Sequence, residues 1–157
     1  MCDIRPVDEA SLTIAAPPER VWALVTDITR MGEWSPESTG GRWVRGATGP
    51  AVGAEFVGGN VHGRLRWNTH CRVLEVDAPH RFSFAVAESR MTWGWRLEPD
   101  GTGTRLTQWR ERTSRPNWAV RAFAGSGLGG RDREGLMTAG MRRTLAAIKA
   151  TAEHPPP

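Results

Sequence analysis

The longest regular signal in this chain covers residues 64–73, where Leu65, Trp67, Thr69, Cys71 and Val73 alternate with Arg64, Arg66, Asn68, His70 and Arg72. A period of two places one set on a core and the other in water, as in a strand of a sheet with one wet side. At about 3.3 Å per residue such a strand reaches roughly 30 Å, long enough for its twist to curl the sheet. The alternation returns over 81–87 through Phe82, Phe84 and Val86, and again through Met91, Trp93, Trp95 and Leu97. Pro99-Asp100-Gly101 predicts a hairpin turn, and 104–113 a further strand with Leu106 as its clearest inward residue. Alternating faces joined by short turns predict a curved antiparallel meander.

Ahead of the meander, residues 11–15 read as a short strand ended by Pro17-Pro18, with a proline tolerated in the first turn of the helix that follows. Val21, Trp22, Leu24 and Val25 give that helix, over 19–26, an apolar face. Asp27 is placed to cap a second short helical turn through Met31. Residues 35–53, SPESTGGRWVRGATGPAVG, are turn formers around Trp43-Val44 and predict a long, mobile connection with at most one strand, the kind that often serves as a lid. After the meander, 117–124 reads as helical, GSGLGG at 125–130 interrupts, and a helix restarts near Asp132 and lasts to about Glu153. Met137, Met141, Leu145 and Ile148 recur at helical spacing as one apolar stripe. Gly140 beside it allows close approach of a ligand or a strand. Residues 1–9 and 154–157 read as tails around a single domain at 10–153.

Composition changes the picture in one respect. There are eight tryptophans and no tyrosine: Trp22, Trp34, Trp43, Trp67, Trp93, Trp95, Trp109 and Trp118 are spread along the chain. An indole offers a flat apolar surface and one N–H donor, with nothing that titrates near neutral pH. Indoles converging on one concavity make a wall for a flat hydrophobic guest and a poor set of acids and bases. Otherwise the chain is ordinary: 157 residues, 39% hydrophobic and 24% charged, the size and composition of one globular domain. The formal charge of +4 is spread among acids and apolar residues, which predicts a solvated arginine-rich surface. No apolar stretch approaches the roughly 20 residues that span a bilayer, and the leading residues are acidic where a signal peptide is basic then apolar. The expectation is a cytoplasmic protein without stable membrane insertion. Cys2 and Cys71 have no regular spacing, so neither a disulfide nor a metal framework is expected.

Taken together, IAAPPERVWALVTDITRMGEWSP, the meander, the hairpin PDGTGTRLTQ and the ending GMRRTLAAIKATAE resemble the START-like (SRPBCC) superfamily, of the polyketide cyclase/dehydrase and lipid-transport type. The resemblance runs from about Ala10 to Glu153. It implies an α+β helix-grip fold: a curved antiparallel sheet wrapped around a long C-terminal helix, two short helices after the first strand, and an elongated hydrophobic cavity between sheet and helix. Members include lipid and sterol carriers as well as aromatase/cyclases, so the resemblance fixes shape better than activity.

If the cavity is present, Trp67, Thr69, Phe84, Trp93, Trp95, Met137 and Met141 line it, and ordinary core packing is the competing reading for each. Over 104–113, Leu106, Gln108 and Arg110 share one face and Thr107, Trp109 and Glu111 the other. Leu106 resembles the inward residue of the family, which turns Gln108 and Arg110 toward a ligand carbonyl or carboxylate; a bulge would reverse this and turn Trp109 in. Trp34 matches an aromatic position after the second short helix, either guarding the pocket mouth or packing that helix. Thr92 joins Thr69, Gln108 and Arg110 as a stand-in for polar pocket residues of the enzymatic members.

Other patterns do not carry chemistry. Gly125, Gly127 and Gly130 match GxGxxG but follow a helix, where a dinucleotide fingerprint follows a strand. His70 and Cys71 are strand neighbours that face opposite ways and cannot share one ion. Ser126 lacks the surroundings of a nucleophile elbow. Asp27 and Glu33 are explained as a cap and a solvated acid. No metal or other cofactor is implied, and no stacking aromatics share the Arg64/Arg66/Arg72 face, so nucleic acid is not an expected partner. The expectation is therefore a monomer or homodimer that binds or transports a hydrophobic small molecule, such as a lipid or polyketide. The alternative is a polyketide cyclase, aromatase or dehydratase using the same cavity.

Overall fold

The computed structural model describes residues 8–113 and 131–154, the latter with side chains from Ala139 onward. The expectations for 117–130 and for the side chain of Met137 lie outside the described residues.

The first strand, β1 (Asp8–Ile14), ends where Ala15 to Pro17 turn the chain into α1 (Pro18–Val25). Pro18 opens that helix, and Val21, Leu24 and Val25 form its buried stripe. Asp27 caps the 3₁₀ turn Ile28–Arg30: its Oδ1 accepts the Thr29 N–H at 3.1 Å. The turn runs directly into α2 (Met31–Trp34). The meander follows as β2 (Ser38–Val44), β3 (Glu55–His62), β4 (Leu65–Asp77), β5 (Arg81–Val86), β6 (Met91–Asp100) and β7 (Gly103–Arg112), and the last helix is α3 (Arg131–Glu153).

The strands form one antiparallel sheet in the order β1-β7-β6-β5-β4-β3-β2, a helix-grip α+β architecture. A bulge in β4 between Val73 and Glu75 lets thirteen residues bend across the sheet. The described part of α3 packs on β1, β7 and both short helices, burying Met141, Leu145, Ile148 and Ala152. Its last turn is tied to β1: Glu153 accepts the Ala15 N–H at 2.7 Å, and Lys149 donates to the Thr13 carbonyl at 3.2 Å and to Glu153. Across the sheet, Trp43, Phe56, Phe84, Phe82 and Trp22 form a chain of ring contacts with centroids 5.1–6.2 Å apart, running from β2 to α1.

The structure departs from the pattern in three places. The strand β3 had no sequence signal, because Gly58-Gly59-Asn60 break its alternation. The strand β1 begins at Asp8, inside the stretch read as a tail. Leu65 and Trp67 occupy the apolar face of β4 yet remain exposed: that face meets the core only from Cys71 onward. Glycine opens the close contact between the 3₁₀ turn and β2, since a Cβ on Gly41 would sit 3.0 Å from both the Ile28 side chain and its carbonyl oxygen.

Candidate ligand face

Strand register decides which side chains meet. One cross-strand row on the concave face runs Val73, Phe84, Trp93, Arg110, Asp8, and the next runs Phe82, Trp95, Gln108, Ala10. A third joins Phe56, Cys71, Val86 and Met91. The pairing of β6 with β7 is unbroken, so Leu106, Gln108 and Arg110 lie on the core side and Trp109 on the other. There Trp109 covers the backbone of Gly94.

Four of the sequence-derived residues, Trp93, Trp95, Gln108 and Arg110, form a contiguous block, with Phe84 beside Trp93. Thr69 shares their face farther along β4, but its hydroxyl is engaged, accepting from Asn60 at 3.2 Å and donating to the Gly58 carbonyl at 3.4 Å. Trp67 is the outermost residue of the set. Met141 is buried on α3. Trp34 lies in the core at the end of α2 under the Arg30 guanidinium, 5.2 Å from its ring. Thr92 is a correction: as the neighbour of Trp93 it points to the opposite face, where its hydroxyl meets that of Thr113 at 2.7 Å.

The electrostatics of the block are nearly closed. Arg110, only 8% exposed, donates from Nε and Nη2 to Asp8 at 2.5 Å and lies 5.8 Å from the centre of the Trp93 ring. Sequence reasoning missed Asp8, which occupies the role foreseen for a ligand carboxylate; the available signal was the opposite charge across a strand pair. Cys71 is also silent, because burial pushes its thiol up to about 12, against a smaller lowering by the Thr69 hydroxyl and a further rise from Glu88. A thiol held protonated is a weak nucleophile. One polar atom of the block stays unmatched: Oε1 of Gln108, a residue 9% exposed, has no hydrogen-bond partner among the described residues.

No group of three or more potential metal-ligating side chains occurs among the described residues. Two hollows, of about 540 Å³ in the loop from Arg45 to Glu55 and about 280 Å³ beside Thr39 and Asn68, lie away from these rows. Among the described residues no helix is long and apolar enough to cross a membrane.

A bent antiparallel sheet closed by a C-terminal helix, with short helices after the first strand, defines a helix-grip protein. Residues 8–153 match the family described as polyketide cyclase / dehydrase and lipid transport, and the chain belongs to it. It is similar to the Polyketide_cyc-like protein Cgl2372 from Corynebacterium glutamicum, at 34% identity over 90% of this chain and 88% of that one, with a TM-score of 0.63. It shares its fold with the KanY protein, at 17% identity over 98% and 100% of the two chains and a TM-score of 0.70. The same holds for the di-domain ARO/CYC StfQ from the steffimycin biosynthetic pathway, at 16% identity over 94% of this chain and 44% of that one and a TM-score of 0.63. No curated protein matches the chain.

Proposed function

We propose that this chain binds an uncharged hydrophobic small molecule against the floor formed by Phe84, Trp93, Trp95 and Gln108, with Met141 on the helix side and Trp67, Thr69 and Trp34 farther out. The Oε1 of Gln108, unmatched among the described residues, carries the reading. A buried acceptor without a partner costs about 1–3 kcal/mol, and a guest hydroxyl or N–H removes that cost. Indole faces contribute apolar area and about 0.5–1.5 kcal/mol per favourable ring pair. Because Asp8 already balances Arg110, the floor offers no net positive charge to a carboxylate.

Tryptophan emission titrated with naphthol, methylnaphthalene and naphthoate tests this. Naphthol is expected to bind best, with Gln108→Leu reducing its affinity roughly 5- to 10-fold and leaving methylnaphthalene unchanged. Absence of binding by all three, with no small molecule co-purifying by mass spectrometry, would sink the proposal.

The second reading, a cyclase, aromatase or dehydratase acting on a polyketide-like chain, rests on Arg110. A guanidinium carries five N–H donors, and those not given to Asp8 are suited to hold a developing enolate oxygen. In that case Arg110→Lys abolishes turnover of a bound chain while binding persists. Ligand recovered chemically unchanged after long incubation speaks for the carrier.

A further inference from the structure

At the far end of β4 the hairpin with β3 turns at Gly63-Arg64 and presents Leu65, 69% exposed, and Trp67, 42% exposed. Arg64 sits at the turn and Arg66 on the opposite side of the strand from Leu65 and Trp67, both exposed. Several other surface arginines are neutralised locally: Arg30 by Glu33, Arg45 by Glu55, Arg96 by Glu98. Among the described residues no carboxylate pairs with Arg64 or Arg66, and nearby Glu37 is engaged by His62 Nδ1 at 3.1 Å. Unneutralised guanidinium groups thus flank an exposed indole and an exposed leucine at one protruding tip.

We infer that this hairpin tip is a docking surface for an anionic lipid bilayer. Tryptophan favours the boundary between headgroups and acyl chains, and arginine stems are long enough to keep their charge at the phosphates while neighbouring apolar groups go deeper. Each arginine near an anionic surface strengthens binding roughly fivefold, about 1 kcal/mol. A second copy of the chain fits less well, because stable protein interfaces bury about 800 Å² per partner, far more than two side chains supply. The apolar face of β4 continues from Trp67 through Thr69 to Cys71, so a docked tip sets the rim of the aromatic floor against the headgroups.

Flotation of the full chain with vesicles of phosphatidylcholine, alone or mixed with phosphatidylserine, tests the inference independently of any ligand. Binding is expected only to the phosphatidylserine mixture and is expected to be lost at high salt. The pair Arg64→Gln/Arg66→Gln should weaken it roughly 25-fold, and Leu65→Ser/Trp67→Ser about tenfold or more, with unchanged circular dichroism. Brominated lipid should quench tryptophan emission, and Trp67→Phe should remove most of that quenching. Wild-type protein that ignores anionic vesicles overturns the inference. So do binding that survives both double substitutions, quenching that persists in Trp67→Phe, and self-association dependent on Leu65 and Trp67 without vesicle binding.

Discussion

Gly94 and Trp109 show how much one missing side chain permits. They face each other across β6 and β7, and a Cβ on Gly94 would lie 2.1 Å from two atoms of the Trp109 ring. The indole therefore lies on bare backbone and covers the outer face of the sheet where glycine would otherwise leave a gap. Gly94→Ala is expected to cost about 1–3 kcal/mol by overpacking, read as a lower urea midpoint. In the double variant with Trp109→Ala the two losses should be markedly less than additive, because removing the ring removes the clash. Strict additivity would mean that the ring does not rest there. The same residue pair explains why Trp109, an attractive wall residue on composition alone, takes no part in the candidate floor.

At the level of elements, the joint between α3 and β1 includes one ionised carboxylate, Glu153. The Ala15 N–H and the Lys149 ammonium, helped by Lys149 and His154 charge, hold Glu153 below its ordinary value of 4.5 despite some desolvation. The folded state therefore binds this proton less readily than the unfolded chain. The contribution is fully present above pH 4.5 and fades as the pH falls from there through the lower folded value. Glu153→Gln should flatten this part of the acid limb in a plot of Tm against pH, an effect absent if the joint is incidental. Elements with a sustained period were legible in advance: β4 as far as Val73 and β5 to β7 follow alternation, and α3 follows its stripe, because burial repeats with backbone geometry. The strand β3 was not, since Gly58 and Gly59 present no side chains to alternate and pair only because β2 and β4 lie on either side. Nor was the exposure of Leu65 and Trp67 legible, because alternation identifies an apolar face without revealing how far the opposing helix extends over it. Within the floor, Gln108 followed from the register of Leu106, whereas the Asp8–Arg110 pair needed a contact between strands 102 residues apart.

For the whole molecule, the order β1-β7-β6-β5-β4-β3-β2 makes the strand nearest the start of the chain the neighbour of the last one. Six of the seven strands form a simple meander, and β1 completes the sheet from the other edge. Sheet proteins that must close such a distant pairing fold in milliseconds to seconds, where helical bundles take microseconds to milliseconds. Stopped-flow refolding is expected to fall in the slower range, and a microsecond phase accounting for the full signal would contradict the long-range pairing. During synthesis the consequence is a waiting period. At about 5–20 residues per second, β1 leaves the ribosome roughly 5–20 s before β7 is available, and its backbone hydrogen-bonding edge stays unclaimed for that time. The nascent chain is then most vulnerable to chaperone capture and to pairing with a neighbouring polypeptide, a hazard that ends only when the seventh strand arrives.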